Sequence, residues 1–389
     1  MVFKTQDETG TLKTFRDAKR YYWLIAYASS SVTLITVALY AYTHVTATLF
    51  IPLVYFFIVI PGLDALIGED PYNPPDDVLI QMAEDPYYSR LVHWLVPYSW
   101  INLFAGVWLV GTYDLPLWLI ALFAFGKGLF GSGTIMLAHE LGHKTNKTDQ
   151  LLAKFALAVV GYGHFCIEHN RGHHVYVATP EDPASSRMGE SIYAFAWREI
   201  PGAFVRGWQN EKERLHKKGL STFSAKNDIL QGYAITLIVF GICTALFGWK
   251  VLLLLAIQSV VAWYGLTQAN YVEHYGLLRQ KDKNGKYERC QPRHSWNTNH
   301  IFSNLSTFHL QRHSDHHANP LRPYQTLRNF PDLPSLPSGY PGCFALAAIP
   351  SLWFKTMDPK VLEWAGGDIN KVNRVDGYEP VAFSAPNIC

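Results

Sequence analysis

Six apolar stretches, each long enough to cross a bilayer, constrain this chain more than any other feature. They fall at about 22–43, 45–66, 91–111, 115–138, 229–248 and 250–272. A hydrocarbon core roughly 30 Å thick takes about 20 helical residues, and at these lengths only a helix satisfies its own backbone in lipid. The dividers are short: Thr43-His-Val45, Gly111–Pro116 and Gly248-Trp-Lys250. They predict three antiparallel helical hairpins. A shorter run, 151–163, is interrupted by Lys154 and glycines and reads as an interfacial or buried helix. The expected fold class is an all-α membrane protein: six transmembrane helices with a cytoplasmic, histidine-rich cap.

Charge sets the expected orientation. Lys4, Lys13, Arg16, Lys19 and Arg20 precede the first span, and 144–228 carries twelve Lys/Arg, whereas the dividers carry only Lys250. The positive-inside rule then puts both termini and the long middle segment in the cytoplasm, which needs an even number of spans. The organisation reads as a cytoplasmic tail (1–21), four spans (22–143), a cytoplasmic segment (144–228), two spans (229–274) and a cytoplasmic C-terminal segment (275–389). The first apolar run is long enough to be a signal anchor and not a cleaved leader. A formal charge of +2 gives no broad basic field for nucleic acid. The five cysteines are odd in number and never form CxxC, which argues against a disulfide framework or a thiolate metal site.

Nine of the 16 histidines fall in four tight clusters. They read His139-Glu-Leu-Gly-His143, Glu168-His169-Asn-Arg-Gly-His173-His174, Asn270-Tyr-Val-Glu-His274 and Gln311-Arg-His313-Ser-Asp-His316-His317. A mononuclear site usually takes three or four protein ligands, so nine candidates point to two metals in one nitrogen-rich pocket. His139 and His143 are spaced i, i+4, so helical geometry puts both rings on one face. His169 and His173 repeat the spacing, as do His313 and His317, with His316 at i+3. The adjacent pairs His173-His174 and His316-His317 diverge on a helix and can serve different metals. Glu140, Glu168, Glu273 and Asp315 stand beside the histidines and are candidates to fix imidazole tautomers, as well as ordinary solvated acids. Helix length carries His143 past the hydrocarbon, since 29 residues from Leu115 span about 43 Å. All four clusters are then expected at one membrane face.

The first cluster also matches HExxH, the zinc-protease motif with Glu140 as general base. One zinc would leave most of the other histidines unexplained. A metal transporter would want its ligands at mid-membrane. Imidazole alone does not select among zinc, copper, iron and nickel. Zinc has no redox chemistry, whereas iron with nitrogen donors can activate dioxygen, and a diiron site is the preferred reading.

Taken in order, HELGHK, EHNRGHH, NYVEHYG and LQRHSDHH resemble the boxes of the AlkB-type integral-membrane alkane 1-monooxygenases, within the membrane desaturase and hydroxylase superfamily. The segment Asn270–Gly276 is more typical of hydroxylases than of desaturases, and Leu63–Asp70 before Asn73-Pro-Pro75 is also similar. The resemblance covers roughly residues 15–380. It implies terminal hydroxylation of medium-chain n-alkanes with dioxygen as co-substrate, in the bacterial inner membrane. It implies two iron ions held by His139, His143, His169, His173, His174, His274, His313, His316 and His317. It also implies electrons from rubredoxin, fed by an NADH-dependent rubredoxin reductase. A related fatty-acyl desaturase or xylene-type hydroxylase is the alternative.

An alkane partitions into lipid, so a channel between helices is expected. Tyr55, Phe56, Ile58, Trp118, Phe123, Ile135 and Leu137 are candidate wall residues by span position alone, with Tyr55 at the far end. Lys127, near the middle of the fourth span, should pair with an acid, line a polar cavity or stretch toward an interface. His164 and His309 read as structural. Arg187, Arg198, Arg206, Lys217, Lys218 and Arg293 are candidates to steer an acidic electron donor.

Overall fold

The computed structural model describes residues 2–6 and 10–380; Cys389 lies outside the described residues. A hairpin, β1 (Val2–Gln6) and β2 (Leu12–Arg16), opens the chain. The sequence reading had only a polar tail there. The hairpin is anchored by Thr5, whose hydroxyl donates to Asp77 at 2.9 Å, and by Lys4, whose N–H donates to Gln81.

The first span is a bent pair, α1 (Tyr22–Ser30) and α2 (Val32–Thr43), with a 43° break. Three serines meet at the break, and Ser31 Oγ donates back to the Tyr27 carbonyl at 2.7 Å, a bond that competes with the helix ladder. Helix α3 (Thr46–Ile67) is the second span. It contains a π turn at Tyr55–Val59, directly before Pro61, which lacks the N–H that an α-helical bond to Phe57 would need.

Helices α4 (Pro86–Thr112) and α5 (Leu117–Gly142) form the second hairpin. Helix α4 begins earlier than the apolar pattern implied because Asp85 caps it, accepting from the Tyr87 N–H, with proline at the first helical position. The short α6 (Lys147–Ala158) is capped by Asn146 and does not qualify as a span, as its interruption by Lys154 implied. Helix α7 (Ile192–His216) follows a loop, and α8 (Asp228–Phe247) and α9 (Trp249–His274) form the last hairpin. Among the described residues five helices are long and apolar enough to span, and the bent pair makes a sixth candidate.

Helices α5 and α9 are the central pair. Over half of the apolar window of α5 is buried, against 22 % for α8, whose remaining face is left for lipid. Small residues let α5 and α9 approach: a Cβ added at Gly128 would lie 2.6 Å from Val261 Cβ, and one at Gly265 would lie 2.9 Å from Ser132 Cβ. That is the small-residue packing expected where lipid supplies no hydrophobic drive between helices. The consequence is functional, because α5 ends at His139 and His143 and α9 ends at His274.

Candidate metal centre

All nine clustered histidines converge. Their ring nitrogens form two groups, His139, His143, His169, His174 and His316 in one, and His173, His274, His313 and His317 in the other. Within each group the ligand-capable atoms lie within 4.8 Å of one another. Each adjacent pair splits between groups, because neighbouring helical side chains diverge.

The grouping departs from the sequence reading in one respect. His169 and His173, spaced i, i+4, fall in different groups, and His169 instead meets His174 at i+5, Nε2 to Nε2 at 3.0 Å. The cause is a π turn over His169–His173, whose wider pitch aligns residues five apart. Gly172 lies within it, and a Cβ there would overlap the Arg206 guanidinium. His316 likewise leaves His313 and His317 to join the first group, 3.2 Å from His174.

The donor set fits metal ions. His173 and His317 bring Nε2 atoms to 3.2 Å, and His317 and His313 to 2.8 Å. The Nε2 atoms of His139, His143 and His274 are buried with no partner. Facing imidazole nitrogens need a donor for every acceptor, and orphaned buried nitrogens are costly. An ion about 2 Å from each nitrogen satisfies a whole group at once.

Of the four carboxylates named from sequence, only Glu273 touches a histidine of the groups. Its Oε2 lies 3.1 Å from His313 Nε2, and its other oxygen accepts from the Tyr340 hydroxyl. Glu140 pairs with Lys144, just past the end of α5, at 2.9 Å. Glu168 accepts from Arg206 Nε at 2.8 Å, and Asp315 binds Asn319 and Arg322. The residue that sequence reasoning missed is Asp182, fully buried, whose Oδ2 accepts from His173 Nδ1 at 2.8 Å. Its other oxygen accepts from Arg206 at 2.7 Å, so that Arg206 bridges Glu168 and Asp182. Burial alone would raise the Asp182 carboxyl, but the His173 ring and Arg206 outweigh it and hold it well below the usual carboxylate range.

The segment Asn270–Gly276 is tied down on every side. Asn270 donates to Glu199 at 3.2 Å, Tyr271 Oη to the Glu190 carbonyl, and Tyr275 Oη to Asp358. Burial pushes the Glu199 carboxyl up to about 7, from an ordinary value of 4.5. The folded chain therefore keeps a proton that the unfolded chain has released, and stability should fall as pH rises from about 4.5 to about 7. The slope approaches about 1.4 kcal/mol per pH unit for this one group. Thermal unfolding of the detergent-solubilised Glu199→Gln variant should show a flatter pH profile over that window than the unsubstituted protein. Parallel profiles would refute the assignment.

A largely apolar cavity of about 170 Å³ reaches from the histidines along α5, lined by His139, His169 and His313 and, further along, by Lys127. Among the expected wall residues, Phe56 and Leu137 line it. Tyr55 instead bonds Ser29 at 3.1 Å beside the cavity. Ile58 and Trp118 turn outward, 65 % and 61 % exposed, as a helix with a lipid face requires, and Phe123 and Ile135 pack in the core away from the cavity. Among the described residues no acid pairs with Lys127, which is buried against the cavity.

Outside the groups, His164 bonds the Tyr233 hydroxyl at 2.8 Å and His309 packs on Trp23. Of the basic residues, Arg198 is held by Glu190, Arg206 by Glu168 and Asp182, and Arg293 by Glu288, while Lys217 and Lys218 are exposed.

Residues 115–333 match the fatty acid desaturase family model. The chain is 50 % identical to an alkane 1-monooxygenase of Ectopseudomonas oleovorans over 92 % of its length and 89 % of the relative's. It is 48 % identical to one from Pseudomonas putida (92 % and 90 % covered) and 47 % identical to alkane 1-monooxygenase 1 of Alcanivorax borkumensis (92 % and 88 %). A xylene/toluene monooxygenase hydroxylase component of Pseudomonas putida is 30 % identical over 61 % of the chain.

Proposed function

The chain belongs to the alkane 1-monooxygenase family of multi-pass membrane oxidoreductases, and from that premise we propose that it hydroxylates the terminal methyl of medium-chain n-alkanes to 1-alkanols. The observation that carries the reading is a largely apolar membrane cavity ending at two groups of buried imidazoles. The two groups would hold two irons, which supply the activation of dioxygen needed to attack an unactivated C–H bond.

The protein's own residues do the rest. Asp182, accepting from His173 Nδ1–H, fixes the tautomer that leaves Nε2 free to face its group. Tyr340 donates to Glu273, whose other oxygen lies against His313 Nε2, the nitrogen that also faces His317. Ser99, Ser132 and Thr134 line the cavity, yet each donates its hydroxyl to a carbonyl of its own helix. They present carbon to the substrate and offer water little to hold. An extended alkane in such a cavity meets the histidine end with its methyl first, which accounts for terminal attack. The substrate enters from lipid.

Rubredoxin, reduced by an NADH-dependent reductase, is the proposed electron donor. The Lys/Arg distribution supports placing the histidine end and both termini on the cytoplasmic side of a bacterial inner membrane. A hydrolytic zinc site gains nothing from the geometry, since Glu140 is paired with Lys144.

The test is metal analysis of purified protein combined with turnover of octane and dodecane in the presence of reduced rubredoxin. About two irons per chain and 1-octanol or 1-dodecanol as product are expected. Alkene products would favour desaturation, and zinc without turnover would overturn the reading.

A further inference from the structure

Lys127 lies twelve residues before His139 on α5, about 18 Å away along the axis, and both line the same cavity. It is 5 % exposed, and among the described residues no hydrogen bond or ion pair reaches its head group. A lysine head group carries N–H donors, and leaving them unmet in lipid is expensive. The fold does not make the mismatch good from neighbouring side chains. Gly106 packs against the lysine stem, where a Cβ would lie 2.9 Å from Cε. Asn102, one turn away from Gly106 on α4, also lines the cavity, and its Oδ1 is buried without a partner. The cavity lining thus includes an unmet donor at Lys127 and a partnerless carbonyl oxygen on Asn102. The hydrocarbon tail of an alkane leaves the lysine unmet, whereas a hydroxyl can accept from it.

We infer that Lys127 is a specificity-determining residue: it holds the oxygen of a 1-alkanol at the distal end of the cavity and so presents the opposite methyl to the histidine end. The inference rests on the alkane-hydroxylase reading and extends it to a second substrate class. In the added reaction a methyl C–H bond is replaced by C–O–H, giving an α,ω-diol. One atom of dioxygen enters the chain and the other leaves as water, with two electrons from the one-electron donor protein and two protons from solvent. A site with a placed donor discriminates strongly against ligands lacking its partner.

The test compares dodecane and 1-dodecanol as substrates of the unsubstituted protein and of Lys127→Met, which keeps the stem's shape. Removing a buried polar head group without a partner should leave folding intact. The ratio of kcat/KM for 1-dodecanol over dodecane is expected to fall by about 10-fold or more in the variant. A second arm needs neither metal nor turnover. Dodecanal with cyanoborohydride should alkylate Lys127 in metal-free protein, mapped by mass spectrometry, and 1-dodecanol should protect it where dodecane does not. An unchanged ratio, no diol from the unsubstituted protein, or unprotected labelling would each overturn the inference. If dodecane itself is not hydroxylated, the enzymatic reading fails, and the labelling arm still decides whether Lys127 binds the hydroxyl.

Discussion

Replacing His274 by alanine is expected to leave purified protein with about one metal ion per chain and to lower alkane hydroxylation by more than about 100-fold. The basis is the unequal division of the nine imidazoles. His274 belongs to the four-nitrogen group, fully buried between His173, His313 and His317. Its loss leaves three nitrogens and a void in place of the fourth. The five-nitrogen group shares no ligand with it and should keep its ion. His143→Ala, by contrast, still leaves four nitrogens around the first position. It should retain more metal than His274→Ala while activity still falls, because the proposed diiron chemistry would use both ions. Metal content by elemental analysis, with circular dichroism to confirm retained helix, checks the pair. Simultaneous loss of both ions from His274→Ala would mean that the groups are not separable sites, and full occupancy with full rate would remove His274 from the centre.

Much of this arrangement was legible in the chain because it follows from periodicity and length. Apolar runs of about 20 residues have one solution in lipid, and all six correspond to helices or a bent helix pair. The histidine end could be foreseen because α5 and α9 both run on to their histidines past the length that a bilayer needs. The partition of the ligands was not legible. It depends on a π turn at His169–His173, and spacing arguments assume 3.6 residues per turn. Which carboxylate would meet a ring nitrogen was equally hidden. Glu140, Glu168 and Asp315 are close in sequence, but Asp182 arrives from a loop nine residues beyond His173, with no motif to mark it. The cavity wall failed for a related reason. Position along a span fixes depth, whereas facing direction depends on packing, and Trp118 and Phe123 share a span yet lie respectively in lipid and in the core.

Asp182→Asn should therefore act more strongly than its distance from the sequence motifs implies. Asp182 accepts on both oxygens, from His173 and Ser185 on one and from Arg206 and the Ala184 N–H on the other. An asparagine of the same shape has one accepting oxygen. If that oxygen faces His173, the amide N–H groups confront the Arg206 guanidinium, donor against donor. If it faces Arg206, the amide donates to His173 Nδ1 and drives the ring proton onto Nε2, the nitrogen that faces His317 at 3.2 Å. The first outcome costs about 1–3 kcal/mol for the unpaired buried groups, and the second blocks a metal-facing lone pair. Either way, the four-nitrogen group should bind its ion about 10- to 100-fold more weakly. Hydroxylation at limiting iron should fall accordingly and recover with excess iron, whereas His274→Ala should not recover. A rate that falls without responding to iron would mean that Asp182 acts on folding or on the substrate, and an unchanged rate at every iron concentration would mean that the His173 tautomer is set by something else.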